Sequence, residues 1–325
     1  MGGIVAKARQ DGSLLPELTV KQRETFGFVG CGRVGRTLAQ AFANAGRAVT
    51  AAWSRRAADA EMMAGEVSGL RALPSAQAVA DACDFVWITV SDDAIAPVSN
   101  GIAWSARHKV IHCSGATEVL ALAAARKAGA AIGGFHPLQM FTNPAVALKG
   151  LPGCTVGIEA DSGLDERLNQ LALDIGCTPV GVPAGDRALY HASAYYVGPF
   201  LIALLAEAVA LWQKFGVGEK EALNALLPLL SGTLSAVHDG GLAQGMGGCV
   251  ARGDVGTVRK HIAAMDQFDH DAGQLYRMLA SRTIPLGLKR GTLGAQGAEA
   301  IRASLGGVAK REAPIGLRPV QAREL

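Results

Sequence analysis

A chain of 325 residues is too long for one minimal domain and comfortable for two. Half of its residues are hydrophobic and 18% are charged, a balance that excludes a disordered chain. The 31 Lys and Arg against 28 Asp and Glu leave a net charge of +3 and no basic stripe, so a nucleic-acid partner is not expected.

The six cysteines, at positions 31, 83, 113, 154, 177 and 249, form no Cys-x-x-Cys pair. That argues against a zinc ribbon or a thioredoxin-type motif, and no metal site is expected. Residues 1–24 read as a polar lead-in without the charged-then-apolar pattern of a secretion signal. Reduced thiols in a cytoplasmic protein are the expectation.

Regular structure is predicted from Thr25. Phe26-Gly27-Phe28-Val29 is a short apolar strand, then a Gly-rich turn, then a helix over 36–45 ended by Gly46. Residues 48–53 form the next strand. Residues 84–90 are almost continuously apolar, as in a strand covered on both faces. Further strands are predicted at 109–112, 131–135, 154–158 and 178–182, with helices at about 75–82, 117–128 and 163–175. This alternation predicts an α/β fold with a doubly wound, mostly parallel sheet.

Beyond Pro183 the pattern is helical only. Leu201, Leu204, Leu205, Ala208 and Trp212 share one helical face, and Leu223, Leu226, Leu227 and Leu230 repeat the spacing. The expected division is therefore a dinucleotide-binding domain over 25–183, an all-α domain for substrate and dimerisation over 184–290, and a loosely ordered tail over 291–325. The apolar run 195–212 is interrupted by Gly198, Pro199 and Glu207, which favours a buried helix over a membrane span. Pro199 should kink or break it. The run is too apolar for a solvent-facing helix, so a homodimer is expected.

Gly30-Cys31-Gly32-Arg33-Val34-Gly35 is a G-x-G-x-x-G element that follows a strand and opens a helix. Gly30 permits the tight turn, Gly32 lets a pyrophosphate approach the backbone, and Gly35 allows close helix–strand packing. The free N–H groups of the helix start, at Arg33 and Val34, suit phosphates. The second strand ends in Trp53-Ser54-Arg55-Arg56, with no acid before Asp59. Ser54, Arg55 and Arg56 suit a ribose 2′-phosphate, which points to NADP rather than NAD. Val90 and Ser91, which close the strand at 84–90, complete the cofactor candidates.

Four segments carry candidate chemistry. His112-Cys113-Ser114-Gly115 and Phe135-His136-Pro137-Leu138-Gln139 end successive strands, on the edge where open α/β sheets bind ligands. Leu189-Tyr190-His191 opens the first long helix of the second domain. Val250-Ala251-Arg252-Gly253-Asp254 leads into a helix carrying His261. Histidine suits proton transfer because it titrates near neutrality, so His191 is the candidate acid or base; a structural histidine is the alternative. Arg252 could hold a substrate carboxylate through paired hydrogen bonds, or simply pair with Asp254, which could instead cap the next helix. Ser114 and His136 could contact substrate or nicotinamide, or only form turns.

Taken together, Gly-x-Gly-x-x-Gly, His-x-Ser-Gly, His-Pro-Leu-Gln, Tyr-His-x-x-Ala and Ala-Arg-Gly-Asp resemble a bacterial oxidoreductase family. That family joins a Rossmann-like domain to a helical C-terminal domain of unknown function. It groups with ketopantoate reductase, pyrroline-5-carboxylate reductase, prephenate dehydrogenase and 6-phosphogluconate dehydrogenase. The resemblance covers residues 26–276 and implies a homodimer, with the His191 position beside the nicotinamide. Two departures stand out: Gly198-Pro199 where the family carries Ser-Asn, and Gly247-Gly248-Cys249 where it tends to carry Thr-Gly-Pro.

The leading expectation is an NADP-dependent oxidoreductase that moves a hydride between nicotinamide and a small carboxylate-bearing carbonyl compound, such as a ketopantoate-like 2-oxo acid. A cyclic imine reductase or prephenate-type dehydrogenase is the alternative within that class, since His-Pro is similar to an element of prephenate dehydrogenases. The departures also leave open a non-catalytic NADP(H)-binding sensor.

Overall fold

The computed structural model describes residues 24–306, so the tail beyond 306 and all of the lead-in except Glu24 lie outside the described residues. The first part alternates strand and helix as predicted. In chain order it runs β1 (Thr25–Val29), α1 (Arg33–Asn44), β2 (Ala48–Trp53), α2 (Ala57–Glu66), β3 (Arg71–Ala72), α3 (Ala76–Ala82), β4 (Phe85–Ile88), α4 (Asp92–Asn100) and β5 (Lys109–His112). A 3₁₀ turn over Val119–Leu122 then leads to α5 (Ala123–Lys127), β6 (Ala131–Pro137), α6 (Pro144–Lys149), β7 (Thr155–Ala160), α7 (Leu164–Asp174), β8 (Thr178–Gly181) and α8 (Arg187–Val197).

Among the described residues, eight strands join one sheet in the order β3-β2-β1-β4-β5-β6-β7-β8. The order reverses between β1 and β4, the switch point at which doubly wound sheets open a crevice for ligands. Every described pairing is parallel except β6 with β7, so β7 and β8 run opposite to the rest. The central strand β4 is apolar throughout because helices cover both faces: all four of its residues are buried. Phe26, Phe28, Phe42, Trp87 and Phe135 interlock as an aromatic cluster, with Trp87 edge-on to Phe135 at 5.2 Å between ring centroids. The helices α2, α4 and α6 and the two-residue β3 were not predicted. They are short, and α4 contains Pro97, which obscures its pattern. Asn143 caps α6 with Pro144 at its first turn, a start signal the sequence does carry.

The remaining helices are α9 (Pro199–Gln213), α10 (Glu219–Gln244), α11 (Gly248–Ala251), α12 (Val255–Phe268), α13 (His270–Arg290) and α14 (Ala295–Ser304). Val258, Ile262, Ala280, Ile284, Ala298, Ile301 and Leu305 build their core. Proline breaks the helix as expected: α8 ends at Val197, Gly198 is non-helical, and Pro199 takes the first turn of α9.

Three expectations need correction. The chain divides into compact units between Val197 and Gly198, not at 183. The physical reason is α8, whose side chains seat into the sheet of the first unit. Of the tail expected to be loose, the described part up to Gly306 is ordered, because α14 buries Ala298 and Ile301 three residues apart on one face; the rest lies outside the described residues. The apolar helix is not buried either. Val209 is the one buried residue of α9, and Ile202 is 60% exposed. The helix is apolar around its whole circumference, so packing on α10 covers only part of it. By length and composition alone, the stretch 187–213 is long and apolar enough to cross a membrane.

Candidate functional site

The glycine turn after β1 has the geometry a dinucleotide requires. Gly30 adopts φ +105°, and a Cβ there would lie 2.7 Å from the Thr89 carbonyl. At Gly35 a Cβ would meet the Gly30 carbonyl oxygen at 2.5 Å, so the two segments approach as only glycines allow. Thr89, which the sequence reading overlooked, donates from its hydroxyl to the same Gly30 oxygen and ties β1 to β4 at the switch point. Gly32 is the opposite case. Nothing lies within 4 Å of its Cβ direction, and as N-cap of α1 it has no side chain to satisfy the helix N–H groups. The first turn of α1 holds no acidic residue. Exposed Gly32 and Arg33 and half-buried Val34 thus offer open backbone donors at a positive helix end.

At the end of β2, Ser54 is half-buried and Arg55 and Arg56 are exposed. The structure separates the two arginines. Arg56 is held in a fork by Asp59, with Nε to Oδ2 at 2.8 Å and Nη2 to Oδ1 at 2.9 Å. Arg55 forms no ion pair among the described residues. Val90 and Ser91 follow β4, and Ser91 is the exposed N-cap of α4.

The catalytic candidates of the first unit converge on a shelf of glycines. Gly134 lies under Arg187, Gly157 under Tyr190 and Gly115 under His191, where added Cβ atoms would approach side-chain atoms to 2.7, 2.5 and 2.3 Å. Arg187, Tyr190 and His191 are spaced i, i+3, i+4 and so share one face of α8. Each descends onto a position lacking a side chain. This spacing was legible in the sequence, but the glycines that receive it lie on three different segments.

His136, His191 and Tyr190 form one cluster. The His136 ring stands edge-on to both Tyr190 and His191, with centroids 5.6 and 5.3 Å away, and Tyr195 lies edge-on to His191 at 5.6 Å. Nδ1 of His136 is 3.1 Å from the Tyr190 hydroxyl. Burial, reinforced by His191 and Arg187, pushes the His136 pKa down to about 4. His112, fully buried below, is pushed down to about 3 by burial and by Arg187 and His136. Its Nδ1 accepts from the Ser114 N–H at 3.2 Å, and its buried Nε2 has no partner. Both imidazoles are therefore neutral at neutral pH. Nδ1 of His191 is buried against Gly115 without a hydrogen-bond partner.

Beneath the cluster sits Arg187, which has no exposed side-chain surface. Its Nη2 donates to the Ser114 carbonyl, and its Nη1 lies 3.6 Å from Glu159 Oε2. Burial lowers the Arg187 pKa, and burial raises that of Glu159. The sequence reading gave neither residue a role.

Ser114 proves to be a turn residue. Its hydroxyl donates to Thr117 Oγ1 at 2.9 Å and accepts from the Thr117 N–H at 3.0 Å, which leaves it little capacity for a substrate. Arg252 belongs to the second unit, where it is exposed at the end of α11. Asp254 caps α12, accepting from the Thr257 N–H at 3.0 Å, and makes no ion pair with Arg252. His261, in the same unit, pairs with the Tyr276 hydroxyl at 2.9 Å, with Cys249 4.0 Å from the same ring nitrogen.

Comparison with known proteins agrees with this construction. Residues 25–115 match the family described as NADP oxidoreductase, coenzyme F420-dependent, and residues 154–283 match a domain of unknown function, DUF2520. The second match begins in the first compact unit and takes in α8. No curated protein matches the sequence. Solved structures share the fold. A Thermotoga maritima protein aligns with TM-score 0.68 and 20% identity, over 82% of this chain and 99% of its own. The reductive aminase of Aspergillus terreus, in complex with NADPH and ethyl-5-oxohexanoate, aligns with TM-score 0.60 and 17% identity, over 86% and 99%. Pyrroline carboxylate reductase of Plasmodium falciparum, with NADP bound, aligns with TM-score 0.52 and 14% identity, over 81% and 98%.

Proposed function

We propose that this chain, an NADP-oxidoreductase-type domain continued by a DUF2520 domain, is an NADPH-dependent reductase of small C=O or C=N compounds. The observation that carries the reading is the glycine turn at the switch point: closed where backbone must pack, at Gly30 and Gly35, and open at Gly32 where a pyrophosphate would sit. NADPH bound there supplies a hydride.

The chain's own residues supply the rest. The N–H groups at the start of α1 hold phosphate, and Arg55 takes the 2′-phosphate. His112 and His136 are held neutral, so neither is a charged acid at neutral pH. Proton delivery to the developing alkoxide or amine is assigned to His191, with His136 and Tyr195 fixing its ring. Arg252 is assigned a substrate carboxylate. Between the two substrate classes, the C=N reading gains weight from the fold shared with a reductive aminase and pyrroline carboxylate reductase. The 2-oxo acid reading rests on Arg252 alone. A screen of NADPH oxidation across 2-oxo acids, cyclic imines and ketone–amine mixtures decides between them. Tight NADPH binding with no oxidation in any mixture would favour a non-catalytic NADP(H)-binding protein.

Cofactor choice has its own test. NADPH should bind tighter than NADH, and Arg55→Ala should weaken NADPH alone, by about 1.5–3 kcal/mol for a charged hydrogen bond to phosphate. Arg56→Ala should cost less, since Arg56 is already held by Asp59. Equal affinity of the unmodified protein for the two cofactors overturns the assignment.

A cytoplasmic homodimer completes the proposal. Phe200, Ile202 and Leu204 leave much of α9 exposed, and a second copy would cover such a face. Light scattering at micromolar concentration should give twice 33.5 kDa, and the monomer mass would contradict it.

A further inference from the structure

Two cysteines lie apart from the chemistry described above and beside each other. β7 and β8 pair in parallel, with Thr155 opposite Thr178. Cys154 and Cys177 are the residues immediately before these two. The ladder continues through them: the Thr178 N–H donates to the Cys154 carbonyl, and the Gly153 N–H to the Gly176 carbonyl, each at 2.8 Å. Adjacent strands lie about 4.8 Å apart, inside the range of Cα separations that a disulfide bridges, about 4.4–6.8 Å. Each thiol donates to a backbone carbonyl on its own side of the pair, Cys154 Sγ to Thr155 and Cys177 Sγ to Leu151, both at 3.2 Å. Cys154 is half-buried and Cys177 is buried, so one thiol is reachable and the other waits behind it.

We propose that Cys154 and Cys177 are a modification site, a dithiol that hydroperoxides oxidise to a reversible intramolecular disulfide. Exposure makes the two sulfurs unequal in the way this chemistry needs: Cys154 is reachable and Cys177 is not. The neighbouring Cys177 thiol holds the Cys154 pKa below its ordinary value, whereas the neighbouring Cys154 and burial raise that of Cys177. Cys154 is then the attacking sulfur, because the thiolate is the nucleophile. It displaces an alcohol or water from the hydroperoxide and becomes a sulfenic acid. The Cys177 sulfur attacks that sulfenic sulfur, and the hydroxyl leaves with the Cys177 proton as water. In sum, two thiols and one hydroperoxide give one disulfide, one alcohol and one water, with two electrons passing to the peroxide.

The placement ties the pair to the loop that follows His136. Because β7 runs antiparallel to β6, its start lies at the carboxyl end of β6, with Val156 opposite Pro137. The Leu138 N–H donates to the Thr155 carbonyl at 2.7 Å, so the loop after His136 is bonded to the residue beside Cys154. The other cysteines of the first unit, Cys31, Cys83 and Cys113, are buried, and burial raises the pKa of each.

The test uses the full chain and hydrogen peroxide. Oxidised protein should lose two hydrogens in intact mass, yield a linked peptide pair containing Cys154 and Cys177, and recover both thiols with dithiothreitol. Cys177→Ala should instead accumulate a sulfenic acid at Cys154, trapped by a dimedone probe, and Cys154→Ser should show neither product. Circular dichroism confirms that each variant is folded. Folded protein in which both thiols survive peroxide, or in which Cys154 goes straight to higher acids without the cross-link, overturns the proposal. A cross-link to Cys249 in place of Cys177 overturns it equally.

Discussion

His191→Gln should leave folding and NADPH affinity intact while turnover falls by roughly 10²–10⁴, the span of lost general acid catalysis. Glutamine is neutral and similar in reach, and the buried Nδ1 it replaces has no hydrogen bond to lose. Gly115→Ala gives an independent handle on the same side chain. Its Cβ would lie 2.3 Å from His191 Nδ1 and 2.9 Å from two atoms of the His136 ring, so the imidazole must move. A smaller loss in the same direction is expected, and almost none when it is added to His191→Gln, because coupled residues are not additive. A structural histidine would behave otherwise: the melting temperature would drop, and the rate per folded molecule would stay near normal. NADPH oxidation and thermal unfolding, measured on one preparation of each variant, separate the two outcomes.

Why the cofactor turn was legible and the histidine cluster only half so follows from where the constraints lie. Gly30, Gly32 and Gly35 act through their own backbone, within six residues, so the spacing states the geometry. Thr89 closes that turn from 59 residues away, and nothing local marks it. His136 and His191 stood out as residues, whereas Gly134 and Gly157 read only as strand positions. Their meaning depends on Arg187 and Tyr190 arriving from α8. The same helix explains the domain boundary. Loss of strand alternation at Pro183 was a true sequence feature, but packing on the glycine shelf holds α8 with the sheet, and the division falls between Val197 and Gly198, where the helix breaks. The apolar helix shows the limit of pattern: hydrophobicity says that a face must be covered, without saying by what. Arg55 and Arg56 were read as equals, and Asp59 separates them because three residues along α2 bring its carboxylate back to Arg56.

Acid should unfold this protein through its buried imidazoles. His136 and His112 have folded pKa values of about 4 and about 3, against an ordinary 6.5. A depressed folded value means that the unfolded chain binds the proton first. The stability these groups confer is therefore fully present above pH 6.5 and is lost as pH falls, down to about 4 for His136 and about 3 for His112. Near pH 5 the unfolded state holds almost two more protons than the native state at these positions. Stability should then fall by about 2–3 kcal/mol per pH unit, a large fraction of a typical domain's total. Glu159 acts with the opposite sign. Its folded pKa is raised by burial, so its contribution is present at low pH and lost as pH rises through that value, which offsets part of the fall. Urea unfolding at pH 7, 6 and 5 reads the slope, and His112→Leu isolates one proton of it. The variant loses the acceptor for the Ser114 N–H and starts lower at pH 7, yet its stability should decline about half as steeply. Parallel curves for the variant and the unmodified protein would mean that His112 is not held neutral in the folded chain.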